Sequence, residues 1–372
     1  MTDHPPPSPA EHAAPPPPEA DRAFLPGLEL SRALYEEGVA PLLQGVPHAA
    51  ARVGTGSEVL GLDTARSTDH DWGPRLQLFV SHGHGRVRAL LEECLPRRVR
   101  GWPTRYEPVP DDPGVHRLTD GPGGRHLVDV VEPGTWFTEW LGFDPNAEVT
   151  TADWLATPTQ RLAGAVAGAV FHDGVGELTA ARRTLLGYPT DVWRYVLACQ
   201  WLRIAQEEPF VGRCAETGDE LGARVVASRL VRDLMRLCLL LARRYPPYSK
   251  WLGSAFSASR GGRGGPRTAQ GALRARPAAR PGRGVPDGRG LAEPDRVGGG
   301  AVPRAPPLPL AAVPRPGRRA LHRGPARRGR GPSLVGLPPV GAVDQYVDST
   351  DALERVGLAR NVARAVGRLG SG

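Results

Sequence analysis

A short apolar stretch, Ala51-Arg52-Val53, runs into Gly54-Thr55-Gly56-Ser57, and twelve residues after Ser57 two carboxylates follow, Asp69 and Asp71, separated by His70. A Gly-x-Gly-Ser turn at the end of a strand lets the backbone approach a phosphate and aims N–H groups and a hydroxyl at it, more so where a helix begins there. On a strand, side chains at i and i+2 share a face, so Asp69 and Asp71 would point the same way. Two such carboxylates repel unless a cation lies between them, and oxygen ligands suit a divalent metal. The ordinary alternative is an Asp-rich turn ahead of a strand.

The surroundings predict mixed structure. Residues Phe24 to Leu43 carry Leu28, Leu34, Tyr35, Val39 and Leu42 near helical spacing, and Arg75 to Val80 reads as a second strand. His84 to Leu95 reads as a helix and His126 to Val131 as a strand after the Pro122-Gly123-Gly124 turn. After about Asn146 the strand signals stop. Arg161 to Phe171, Glu177 to Leu186, Asp191 to Glu207 and Asp219 to Arg244 repeat apolar residues at helical steps. The predicted fold class is α+β: a mixed sheet with flanking helices over residues 23–150, then an α-helical bundle over 151–256.

Two stretches read as disordered. Residues 1–22 are proline-rich, with neither the basic start nor the apolar run of a signal peptide. Residues 257–333 are mainly Arg, Gly, Pro and Ala, and no aromatic residue occurs between Phe256 and Tyr346. Such a stretch buries too little apolar surface to offset an ordering cost of roughly 1–2 kcal/mol per residue. Its composition is also that of an out-of-frame reading of a GC-rich gene, which resequencing would test. Residues 334–372 return to order, Asp351 and Glu354 resembling a capping box.

The charge argues against a nucleic-acid groove. The chain has a net charge of +8, but the 257–333 stretch alone carries 17 Arg against 3 acidic residues, leaving −6 on the remainder. Phosphate tracking needs positive charge on a structured surface. No segment offers the roughly 18–20 unbroken apolar residues of a membrane span. The cysteines Cys94, Cys199, Cys214 and Cys238 lack zinc or CxxC spacing and fit reduced thiols, so a cytoplasmic location is expected.

The glycine turn followed by Asp-x-Asp resembles the nucleotidyltransferase superfamily of polymerase-beta-like and aminoglycoside-modifying enzymes. The resemblance implies that Asp69 and Asp71 bind magnesium and that Gly54, Gly56 and Ser57 hold the triphosphate of a nucleotide co-substrate. It further implies a third carboxylate from a later strand, Asp129 in His-Leu-Val-Asp-Val-Val, which ligates the second metal and helps activate an acceptor hydroxyl; Glu132 is its nearest rival. The implied reaction is two-metal transfer of a nucleoside monophosphate to a small hydroxylated acceptor. More closely, Phe24 to Phe256 resembles the bacterial domain of unknown function family numbered four thousand and thirty-seven. The likeness rests on Ser67 to Arg75, on Trp140-Leu141-Gly142-Phe143-Asp144, on Gly218 to Gly222 and on Tyr248-Ser249-Lys250-Trp251, and it returns at Val340 to Asp348.

Other residues are less committed. Arg75 can pair with the Asp cluster or with phosphate. Lys250, the only lysine among 46 arginines, suits phosphate but equally a helix end. Asp219 and Glu220 read as caps of the long helix, and Trp193, Tyr195 and Trp201 as bundle core. His70, His82 and His84 with Asp71 could serve a metallohydrolase, but the HxHxDH order is lacking. An RNase of a toxin-antitoxin pair would need an Arg-x4-His motif, and no histidine lies between His172 and His322. A binding module of the same fold without turnover is the remaining alternative.

Overall fold

The computed structural model describes residues 23–110, 112–260, 334 and 337–369. The disorder expected of residues 1–22, and of 257–333 from residue 261 on, lies outside the described residues.

Helix α1 (Gly27–Ala33) opens after Pro26, and the Gly27 N–H donates to Asp63 Oδ2 at 2.7 Å. It continues as one π-helical and one 3-10 stretch to Leu43, so the predicted helix is present but irregular. Strands β1 (Ala49–Arg52) and β2 (Leu76–Phe79) follow, then α2 (His84–Cys94). Two small hairpins come next, β3 (Arg98–Val99) with β4 (Trp102–Pro103), and β5 (Arg105–Val109) with β6 (Asp112–Thr119). Strand β7 (Val128–Val131) leads into α3 (Pro133–Leu141), which Pro133 starts and Gly142, at φ 84°, ends.

Helices α4 (Thr151–Ala156) and α5 (Thr159–Val166) precede a strand that the helical pattern concealed, β8 (Ala169–Asp173). The prediction of helix through Phe171, and of no strand beyond Asn146, is corrected here. Gly168 at φ 70° breaks the helix, and its N–H donates to the Val59 carbonyl at 2.8 Å. The sheet order is β7-β2-β1-β8, with β2 and β7 parallel and the other pairs antiparallel.

Alternation along these strands separates two cores. Ala49, Ala51 and Phe79 face a cluster with Trp136, Phe137, Leu141 and Leu162. Ala50, Leu76, Leu78, Val128 and Val130 face the cluster beneath Leu34, Val39 and Leu91.

The bundle is α6 (Glu177–Leu185), α7 (Thr190–Glu216), α8 (Glu220–Leu241) and α9 (Ser249–Arg260). Helix α9 carries regular structure four residues past the expected boundary at 256. Asp219 caps α8 by accepting the Gly222 N–H at 2.7 Å. Trp193 donates its indole N–H to the Leu240 carbonyl at 2.7 Å and, with Tyr195 and Trp201, packs half-buried against the first core. Short α10 (Val343–Tyr346), α11 (Thr350–Glu354) and α12 (Val356–Leu369) pack back onto the helical part.

Candidate functional site: the glycine turn

At the end of β1 the chain makes the expected turn, with Gly54 at φ 91° and Gly56 at φ 125°. Both values belong to the region that only glycine enters without strain. At Gly56 a Cβ would also lie 2.6 Å from Glu58 Cδ. The Val53 N–H donates to Gln77 Oε1 at 3.1 Å and the Gly54 N–H to the Gly164 carbonyl of α5 at 2.9 Å. By contrast, the N–H groups of Thr55, Gly56 and Ser57 donate to no backbone carbonyl among the described residues. No helix starts here; Ser57 to Leu62 closes as a tight turn, with Leu60 and Leu62 N–H both donating to Ser57 O.

Beneath the turn lies a cluster the sequence reading missed. Arg52 and Glu58 are each 1% exposed. Arg52 Nε and Nη2 donate to Glu58 Oε1 at 2.9 and 2.7 Å, Nη1 donates to the Val53 carbonyl at 2.6 Å, and Nη2 also donates to the Thr55 carbonyl. Arg75 reaches the same carboxylate oxygen from β2's leading end, at 3.2 Å from Nε and 2.9 Å from Nη2. Arg75 is thus engaged with Glu58, neither with Asp69 nor with Asp71. The available signal was a lone Arg in an alanine strand and a lone Glu just past the turn.

Burial, helped by the like charge of Arg75, pulls Arg52 down to about 10, with Glu58 opposing. Burial pushes Glu58 up, but Arg52 and Arg75 outweigh it and leave the carboxyl below its ordinary value. Arg52 and Glu58 are therefore both charged at neutral pH. The buried Tyr106 hydroxyl beside them bonds to nothing among the described residues, and burial raises its pKa.

The carboxylate pair departs from expectation. Asp69 ends a 3-10 turn (Ala65–Asp69), its side chain 55% exposed and 2.8 Å from His70 Nδ1. Asp71 sits at φ 44°, its N–H donating to the His116 carbonyl at 2.7 Å and its Oδ1 accepting the His116 N–H at 3.1 Å. The expectation that both stand on one strand is corrected: the left-handed Asp71, then Gly73 and Pro74, delay β2 until Leu76, and β6 holds Asp71 instead.

Asp129 lies on β7, paired with Gln77, which in turn pairs with Ala51. One row therefore crosses three strands at the end of the sheet where the glycine turn emerges, on the face that Ala51 and Phe79 share. Asp129 is on the surface, yet desolvation by the surrounding protein, aided by Glu139 and opposed by Arg88, raises its pKa. Glu132 is the exposed residue ahead of α3, 3.4 Å from the Thr135 hydroxyl. Lys250 is exposed in the first turn of α9, its Nζ 4.8 Å from the Trp251 ring centre. His82-Gly83-His84 is the turn that opens α2.

The stretch from Trp154 in α4 to Leu252 in α9 is the part of the chain that resembles a known family. Residues 154–252 match the family described as Domain of unknown function (DUF4037). The DUF4037 stretch includes α5, whose Gly164 carbonyl anchors the glycine turn. The turn itself, Asp69, Asp71 and Asp129 lie before it. No curated protein and no solved structure matches the chain.

Proposed function

We propose that this chain binds a nucleoside triphosphate at the Gly54–Ser57 turn and transfers its nucleoside monophosphate to a small hydroxylated acceptor. The observation that carries the reading is the set of uncommitted Thr55, Gly56 and Ser57 N–H groups on a turn whose carbonyls Arg52 draws inward. Successive amides presented this way form an anion nest. In the reaction an acceptor oxygen attacks the α-phosphorus, a new P–O bond forms, and the bond to pyrophosphate breaks. Asp129, at the same end of the sheet and with a raised pKa, takes the hydroxyl proton.

Magnesium is the ion the resemblance implies, but the carboxylates as placed do not fit it. Asp71 is tied to β6 and Asp69 to its neighbour His70. Among the described residues no three His, Cys, Asp or Glu side chains lie together so as to hold a metal ion. The same separation favours a second reading, a module of this fold that binds nucleotide without turnover.

The test is pyrophosphate release from each of the four ribonucleoside triphosphates, with magnesium and a panel of amino, sugar and nucleoside alcohols. Release that falls at least about 100-fold in Asp129→Asn supports the transfer. Nucleotide binding with no release under any condition supports the module. As for other partners, no helix among the described residues is long and apolar enough to cross a membrane.

A further inference from the structure

The charged cluster under the glycine turn has a stoichiometry that the transfer reading does not use. Two guanidiniums, Arg52 and Arg75, share one carboxylate, Glu58. Arg52 and Glu58 are at most 2% exposed and the Arg75 side chain 14%. The adjoining Tyr106 hydroxyl is neutral, so a surplus positive charge is held in the interior. An unmatched charge away from water is costly, and it lowers the energy of any anion that settles above it.

The two arginines divide the work. Of the two, it is Arg52 that bonds to the turn, donating to the Val53 and Thr55 carbonyls, while the Thr55, Gly56 and Ser57 N–H groups donate to no backbone carbonyl among the described residues. Among the described residues, Arg75 makes its side-chain bonds to Glu58 only. Losing Arg75 would leave the Arg52–Glu58 pair neutral and the turn's backbone bonds in place. The face presented to a ligand would keep its shape and lose its charge.

We infer that Arg52, Glu58 and Arg75 act as a positively charged base beneath the glycine turn that makes it select a polyphosphate over a monophosphate. Arg52 positions the backbone and Arg75 supplies the surplus charge. Neither touches the ligand in this arrangement, so both are positioning residues. The inference rests on the turn being the nucleotide site.

Calorimetric titration of the full chain with ATP and with AMP, in metal-free buffer, tests it. The unaltered chain is expected to bind ATP more tightly than AMP. Arg75→Met should weaken ATP about tenfold and AMP far less, collapsing the ratio, while Arg75→Lys, which keeps the charge, should preserve it. Loss of a merely structural contact would weaken both ligands alike, with no rescue by Lys. If Arg75→Met does not give a cooperative thermal transition, Arg75→Gln is titrated in its place. A folded neutral variant with an unchanged ATP-to-AMP ratio overturns the inference and leaves the nucleotide site standing. Absence of ATP binding by the unaltered chain, or binding undiminished by Gly56→Val, removes the site itself.

Discussion

His48, buried at 7% exposure just ahead of β1, holds a single tautomer: its Nδ1–H donates to the Val46 carbonyl at 2.7 Å and its Nε2 accepts from the Tyr35 hydroxyl at 3.0 Å. Burial lowers its pKa below the ordinary 6.5, the Val46 carbonyl opposes, and His172 adds to the fall. His126 is lowered too, chiefly by burial, against the pull of Glu92. As the pH drops through about 6.5 the unfolded chain takes up protons that the fold refuses. Stability from these groups is therefore full above that pH and is lost below it. Thermal denaturation at about pH 7.5 and about pH 5.5 should show a lower midpoint in acid, with a smaller difference in His48→Gln. Equal midpoints would contradict the assignment.

At this scale the glycines were legible because a Gly-x-Gly-Ser order after a strand has few other uses. Asp129 fell on the expected strand because alternating Val-Asp-Val-Val marks one polar face. Arg52 and Glu58 were not legible, since a buried ion pair looks in sequence like any two surface charges. The placement of Asp69 and Asp71 failed because the Gly73-Pro74 break lies between the pair and its strand.

Among elements, α5 anchors the glycine turn through the Gly164 carbonyl. At Gly164 a Cβ would lie 2.5 Å from the Gly54 carbonyl oxygen and 3.1 Å from Trp140 Cζ2. Replacing a helical glycine by alanine ordinarily stabilises by about 1 kcal/mol. Here crowding reverses the sign, because backbone and an indole ring cannot both retreat, and Gly164→Ala should destabilise by about 1–3 kcal/mol. Gly253 in α9 has nothing within 4 Å of its Cβ position, so Gly253→Ala should stabilise by the ordinary amount. Urea unfolding of the two variants separates these outcomes, and a stabilised Gly164→Ala would mean that α5 does not press on the turn. Long amphipathic elements such as α7 and α8 were readable from their period. Strand β8 and the β5–β6 hairpin were not: β8 pairs with β1, far earlier in the chain, and Pro108, Pro110 and Pro113 interrupt the strand pattern of the hairpin. Yet that hairpin fixes Asp71, and β8 flanks β1.

In the whole molecule, the segment after the undescribed stretch is built into the helical part rather than appended to it. Gln345 Nε2 donates to the Val196 carbonyl and to Gln200 Oε1, both at 3.0 Å. Asp344, 8% exposed, accepts from the Thr159 hydroxyl at 2.6 Å and pairs with Arg236. Arg360 of α12 donates to Asp153 at 2.6 Å, and Arg161 donates to the Glu354 carbonyl while lying 4.5 Å over the Trp140 ring beside the glycine turn. The likeness of residues 154–252 to the family was readable; that Asp344 and Gln345 dock on α5, α7 and α8 was not, because nothing local marks a buried carboxylate's partner. Asp344→Ala leaves the Arg236 charge largely buried without its partner, at a cost of about 3–5 kcal/mol. These contacts are noncovalent and do not require the connecting stretch. A protease site inserted within residues 261–333 and cut after folding should therefore yield two pieces that co-elute in size-exclusion chromatography. The same cut in Asp344→Ala should release the smaller piece. Separation of the pieces with Asp344 intact would show that the connection, not the buried polar contacts, holds the C-terminal helices in place.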